Sequence, residues 1–284
     1  MTAADNTAPV VQTRRKRPLL AVVGMTVVGF WLLMAVIGPY VAPYTAAKRV
    51  DLDFFGPMSL AFPLGTDYLG RDMLSLVLYG ARYTIGLALA ATVLACIAGT
   101  SLGLLAAAVG GWLDAILSRA LDALVSIPSL LFSLVVITIF KSSIPILIAA
   151  AAVIYTPGAY RIARSLAVNV NATDFVTVAR ARGESTRYVM FTEILPNITG
   201  PILADFGLRF VFVILLLSRL SFLGLGVQPP LADWGSLVRQ NLAGFVYGAP
   251  AVIAPAVAIA SLTISVNMII DSLQLRRPSA MEGQ

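Results

Sequence analysis

Residues 19–37 read Leu-Leu-Ala-Val-Val-Gly-Met-Thr-Val-Val-Gly-Phe-Trp-Leu-Leu-Met-Ala-Val-Ile, with no charge anywhere between Arg17 and Lys48. A helix of about 20 apolar residues spans the ~30 Å hydrocarbon layer of a bilayer, so this run predicts a transmembrane crossing. The same reading extends along the chain to Thr84 through about Ala108, Ala123 to Phe140, Ile144 to Tyr160, roughly Phe206 to Gly224, and roughly Ala249 to Ile270. The expected fold is therefore an all-α membrane protein with six transmembrane helices. Arg209 and Arg219 interrupt the fifth crossing, and each costs at least ~2.5 kcal/mol at a bilayer centre.

Composition agrees. Of 284 residues 58% are hydrophobic and 12% charged, where soluble domains carry about 25% charged residues. Six helices and their loops use the whole length, which leaves no room for a soluble catalytic domain of ordinary size. The single cysteine, Cys96, excludes a disulfide framework and cysteine-based metal clusters. Histidine is absent, which removes the usual proton shuttle, the Ser-His and Cys-His pairs and the commonest metal ligand. No G-x-x-x-x-G-K-[ST] run is present to cradle nucleotide phosphates. No catalytic, cofactor-binding or metal-ligating residue is expected.

The net charge of +6 reads as a topology signal rather than as a nucleic-acid footprint. With both termini cytoplasmic, the inner segments hold twelve Lys and Arg against six outside. The Arg14 to Arg17 cluster before a long apolar run, with no small-x-small site after it, fits an anchor better than a cleaved signal. The expected organisation is a cytoplasmic tail at 1–18, one membrane domain at 19–275 and a cytoplasmic tail at 276–284. An outer loop at 42–82 is expected to end in an amphipathic elbow helix over Asp72 to Arg82, lying on the membrane surface.

The inner loop, 161–204, is the most informative. Asp174 to Arg182 lacks Pro and Gly and begins with an acid, Gly183 suits a left-handed C-cap, Ser185 can cap a second helix, and Pro196 is expected to interrupt it. Ala179 and Gly183 present a small-residue face that another backbone can approach, flanked by Phe175 and Tyr188 as anchors. The competing reading is a plain connector held at the membrane by its arginines.

Ala179-x-x-x-Gly183 followed by twelve residues and Pro196 resembles the EAA loop of ABC importer permeases. Gly65-Thr66-Asp67, Gly70-Arg71-Asp72, Ser75, Gly80 and Arg82 resemble the outer-loop signature of the C-type permease in dipeptide, oligopeptide and nickel importers. Asp114, Arg119, Asp122 and Ile127-Pro128-Ser129 are similar to its second-to-third helix region. Leu220 to Gly226, Gln228-Pro229-Pro230 and Asp233-Trp234-Gly235 are similar to its fifth-helix exit. These motifs occur in family order from about residue 14 to about residue 275. Thr177-Val178-Ala179 stands where the family has Glu-Ala-Ala, and Leu217 stands where relatives often carry an acid.

The resemblance implies a type I ABC importer permease fold in a bacterial inner membrane. It implies three kinds of partner besides the lipid bilayer: a B-type permease subunit, two ATP-binding subunits that hold ATP and Mg, and an extracytoplasmic substrate-binding protein. It further implies ATPase coupling through Phe175, Thr177, Ala179, Gly183, Tyr188 and Pro196, with Arg219 and Asn267 as pathway candidates. Peptides, nickel chelates, glutathione-like peptides and opine-type solutes are all compatible cargoes. An ion-coupled secondary transporter using Asp205, Asp122 or Glu193 is the competing function, although these acids fall at predicted helix ends rather than at the midplane.

Several side chains have readings of their own. Gly99-x-x-x-Gly103 fits close helix packing, within the chain or with a second permease. Arg119 with Asp122, and Asp205 with Arg209, have ion-pair spacing. Asn267 suits interhelical hydrogen bonding, Arg219 either snorkels or faces the pathway, and Pro128, Pro145 and Pro157 bend or start helices.

Overall fold

The computed structural model describes residues 18–51 and 54–274. The basic cluster at 14–17 and the tail at 276–284 lie outside the described residues. Among the described residues there is no β-strand, only isolated bridges between Arg49 and Arg71 and between Thr66 and Asp72. The helices are α1 (Pro18–Val41), α2 (Met73–Val109), α3 (Gly111–Val125), α4 (Ser129–Phe140), α5 (Ile144–Asn171), α6 (Asp174–Ala181), the short turn α7 (Thr186–Tyr188), α8 (Leu195–Phe222), α9 (Trp234–Gln240) and α10 (Ile253–Gln274). A π-helical segment, Val189–Ile194, joins α7 to α8.

Five helices are each long and apolar enough to cross a membrane, and a bent pair makes six if it counts as one span. The span expected over Ala123 to Phe140 is divided between two helices, α3 and α4, bent by 84°. The break falls at Ser126 to Pro128, where the proline ring has no N–H to donate and restricts the residue before it. At ~1.5 Å per residue α4 covers only about 18 Å, so it needs α3 to complete a crossing. Contacts with α5 set the direction of α3. Arg164 makes two bonds to the Asp114 carboxylate, Tyr160 Oη and Ser118 Oγ lie 2.8 Å apart, and Arg161 Nη2 donates to Asp122 at 2.6 Å. Asp122 thus pairs with Arg161, not with Arg119 as the spacing predicts.

The expected elbow helix is also corrected. Asp72 caps a single helix that runs 37 residues to Val109, its carboxylate accepting from Ser75 N at 2.9 Å. Met73, Leu76 and Val77, the apolar face read as membrane-seeking, are buried in the core. What covers them is Trp234 and Leu237 of α9, both fully buried. Trp234 sits at the centre of this packing. Its indole Nε1 donates to Val77 O at 2.9 Å, its N–H donates to Thr84 Oγ1 at 3.0 Å, and its ring meets Trp31 of α1 edge-on at 4.7 Å. Asp233 caps α9 and accepts from Ser221 Oγ and from Ser236 N at 2.7 Å. Burial pushes its carboxyl above the ordinary carboxylate range, against the pull of those hydrogen bonds.

The motif at 65–72 is a folding device at this end of the bundle. Fully buried Asp67 accepts from Leu69 N and Arg71 N at 2.9 and 2.8 Å and pairs with the Arg71 guanidinium, while Tyr68 N donates to Asn241 Oδ1 at 3.1 Å. The Asp67 carboxylate thereby closes the turn at 67–71, and Tyr68 N ties that turn to Asn241 just after α9.

The most extensive helix pair is α2 with α5. Gly99 and Gly103 face α5 so closely that a Cβ on Gly103 would lie 2.8 Å from Arg164 N and 2.9 Å from Tyr160 O. The small-residue motif therefore serves packing within this chain.

Candidate functional site

At the end of the bundle opposite the 44–72 segment, α6 and the π-helical segment form a short layer. Thr173 is the N-cap of α6 and Gly183 ends it at φ +83°, a conformation that costs a glycine little. Glu184 N returns to Ala179 O at 3.2 Å, and Ser185 Oγ accepts from Tyr188 N at 3.2 Å to start α7. The helix, glycine turn, helix reading of this loop holds.

One face of α6 is used internally. Val176 and Ala179 are fully buried, and Val176 joins a second apolar core with Leu104, Ala107 and Ala108 of α2, Ala167 of α5, Val189 and Ile194 of the π segment and Ile198 of α8. Polar bonds fix the same helix. Arg180 Nη2 donates to Ala108 O at 2.7 Å and to Asn171 Oδ1 at 2.9 Å, and Asn171 Nδ2 donates to Ala107 O at 3.1 Å. The helix α6 is thus fastened to the ends of α2, α5 and α8 together.

The opposite face is bare. Phe175 and Val178, three residues apart on one side of α6, are 45% and 55% exposed, and Phe191 beside them is 51% exposed. Thr177, Arg182, Gly183 and Pro196 are exposed, and Tyr188 is half-buried. Ala179 corrects the sequence expectation. Its small side chain permits close approach by this chain's own helices and leaves nothing for a partner to touch. Gly183 has open space around the site of a Cβ, so its backbone conformation, not its size, requires glycine. Val178, Phe191 and Arg180 were missed. An eight-residue helix with apolar residues on two faces, Val176 with Ala179 and Phe175 with Val178, was the available signal that two different surfaces cover it.

Pro196 does not stop the helix. Leu195 N bonds to Met190 O in the wider π pattern, so the register shifts just before the proline and the helix runs continuously from Thr186 to Phe222. The two pathway candidates are both exposed but are not brought together. Asn267 lies at the level of Gly207, whose neighbours on α10 are Val266 and Ile270, whereas Arg219 is in the last turn of α8, about 18 Å further along at ~1.5 Å per residue.

Residues 99–277 match the family described as binding-protein-dependent transport system inner membrane component. The chain belongs to this family of transport permeases. Residues 14–59 of the permease also match the N-terminal transmembrane domain of oligopeptide transport permease C. It is 32% identical over 261 residues to the dipeptide transport system permease protein DppC of Haemophilus influenzae, covering 89% of this chain and 88% of that protein. To the di/tripeptide transport system permease protein DppC of Pseudomonas aeruginosa it is 31% identical, over 84% of this chain and 81% of that one. To the glutathione transport system permease protein GsiD of Salmonella paratyphi A it is 34% identical, over 92% and 86%. The permease is a multi-pass inner membrane protein with the type I permease fold. It is a membrane component of an ABC importer system, which also contains other permease, ATPase and binding-protein components.

Proposed function

We propose that this permease forms half of the translocation pathway of an ATP-driven importer for peptides or related small solutes, and that α6 couples it to ATPase movement. A B-type permease supplies the other half, two ATP-binding subunits hold ATP and Mg, and an extracytoplasmic binding protein delivers cargo. The observation that carries the reading is the two-faced helix. Phe175 and Val178 point away from a helix whose other face is fastened to α2, α5 and α8. In this reading ATP-driven closure of the ATPase pair displaces α6, and alternating access follows as the attached helices tilt. The basic residues favour both termini and residues 161–204 on the cytoplasmic side and residues 42–82 and about 226–247 outside.

Replacing Phe175 and Val178 together by aspartate tests this. Removing two central apolar contacts from a docking surface is expected to cost about 2 kcal/mol or more, roughly a 30-fold weaker association. The ATP-binding subunits should no longer co-purify with the permease, uptake should be lost, and the variant should insert and fold normally. Retained subunits with uptake at the wild-type rate defeat the assignment. In a Cys96→Ala background, Val178→Cys should react with an impermeant reagent only from the cytoplasmic side, and labelling from outside in intact cells reverses the topology.

Arg219 is assigned to the pathway near its outer gate. It is an exposed cation in a membrane-spanning helix, and the nearby acid, Asp233, is buried against Ser221. Arg219→Gln should weaken uptake of a cargo with a free carboxylate at least several-fold more than that of its amide, since a desolvated charge-assisted bond is about twice as strong as a neutral one. Equal losses for the two cargoes, or none, make Arg219 a membrane-interface anchor. The secondary-transporter reading is weakened by the engagement of two of its three carriers, Asp205 with Arg209 and Asp122 with Arg161. Uptake driven by an ion gradient after ATP depletion would restore it.

A further inference from the structure

Arg209 lies near the middle of α8 (Leu195–Phe222), about 20 Å from either end at ~1.5 Å per residue, and is only 6% exposed. A guanidinium at that depth is costly and marks a site with a task unless the chain simply neutralises it. Neutralisation is complete within α8 itself. Arg209 Nε and Nη2 donate to the two oxygens of Asp205, one turn earlier, at 2.5 and 3.0 Å.

The third contact leaves the helix. Arg209 Nη1 donates to Tyr155 O on α5 at 2.9 Å. This carbonyl lies two residues before Pro157, which sits inside α5 and has no N–H to give to the helix ladder. Gly158 then leaves room for the guanidinium, since a Cβ at that position would stand 2.6 Å from Nη1 and 3.1 Å from Nη2. A reciprocal bond returns from α5, Tyr155 Oη donating to Phe212 O at 2.9 Å, with the two rings stacked 6.5 Å apart. On α5 at the same level, Thr156 and Tyr160 carry the close approach of Gly99 on α2. This turn of α5 is therefore held between a close backbone approach from α2 and a polar clamp from α8.

We infer that the Asp205–Arg209 pair is a positioning element that locks α5, at the turn holding Tyr155, Pro157 and Gly158, to α8, so that α8, displaced from the α6 layer, moves α5 with it. The inference rests on the proposed coupling through α6. Neutral side chains at 205 and 209 would suit a passive span better, because an apolar pair avoids the desolvation cost of two ions. What they would lack is the directional bond to Tyr155 O, which holds one carbonyl of α5 rather than a slippery apolar surface.

The test uses the assembled importer in proteoliposomes, reading co-purification of the ATP-binding subunits, ATP hydrolysis and peptide uptake. Gly158→Ala leaves both charges in place but fills the guanidinium's space. The exchange Asp205→Arg with Arg209→Asp keeps an i,i+4 pair while turning a carboxylate toward the Tyr155 carbonyl. Both variants should assemble with their ATP-binding subunits and hydrolyse ATP at nearly the wild-type rate, with peptide transported per ATP reduced about tenfold. Wild-type transport per ATP in both variants overturns the inference, as does a fall in uptake and ATP hydrolysis in equal proportion, which a merely structural pair would give. Failure of the α6 reading is seen separately, as ATP-binding subunits retained by the Phe175 and Val178 aspartate variant.

Discussion

Replacing Gly99 and Gly103 together by valine is expected to force α2 away from α5 and to destabilise the permease more than any other change in its helix contacts. The atoms in the way are largely backbone. A Cβ on Gly99 would lie 2.7 Å from Thr156 O and 2.8 Å from Tyr160 N, and one on Gly103 would lie 2.8 Å from Arg164 N and 2.9 Å from Tyr160 O. Side chains can rotate out of such contacts, but a helix backbone must translate as a whole. Overpacking of this kind costs about 1–3 kcal/mol per site. Here the displacement also reaches α3, because Tyr160 and Arg164 carry the bonds to Ser118 and Asp114. Without a hydrophobic drive between helices inside the bilayer, lost van der Waals contact has little to replace it. Thermal unfolding of the purified permease should shift downward by several degrees at the least, and an unchanged midpoint would mean that α2 and α5 are not in backbone contact.

Trp234→Ala is expected to be the most damaging single truncation, at about 3–5 kcal/mol. Trp234 is the largest fully buried side chain and is wedged between α1, α2 and α8. Alanine leaves a void beside Trp31 and removes the bond to Val77 O. The residue's backbone N–H still holds Thr84, so local capping by Asp233 should persist and the loss should come from packing. Trp234→Phe separates the two contributions. Keeping most of the volume and losing one hydrogen bond should cost nearer ~1 kcal/mol. Denaturant titration of both variants checks this, and an alanine variant within 1 kcal/mol of wild type would remove Trp234 from the centre of the core.

Much of the loop around α6 was legible because its signals are local. Gly183, Ser185 and the acid at 174 act on backbone groups within a few residues, so their positions alone predict a helix, a left-handed turn and a second helix start. The role of Ala179 was not legible. A small residue permits close approach from any direction, and only the placement of α2, α5 and the π segment shows that this chain's own helices cover it. Pro196 carried a similar ambiguity. A proline can end a helix, bend it or be passed through, and here the helix passes through it with the π segment at 189–194 shifting the register just before.

The elbow expectation failed for a related reason. Met73, Leu76 and Val77 recur at helical spacing whether lipid or protein covers them, and Trp234, more than 150 positions away, is what covers them here. Asp205 with Arg209 was readable as an i,i+4 pair, but its bond to Tyr155 depends on where α5 passes.

Sequence alone determined the membrane class, the number and approximate place of the apolar runs, the local turns of the α6 loop and the family motifs. Each of these depends on composition or on residues within one or two turns of each other, where the bilayer and the backbone hydrogen bonds set the rules. Tertiary structure decided the 84° bend between α3 and α4, the inward use of Ala179 and the outward face of Phe175 and Val178. It likewise decided the attachment of Arg209 to α5. Those outcomes turn on which helix lies beside which, and an apolar or small-residue face states only that it needs a neighbour, while the neighbour is chosen by the packing of the whole bundle.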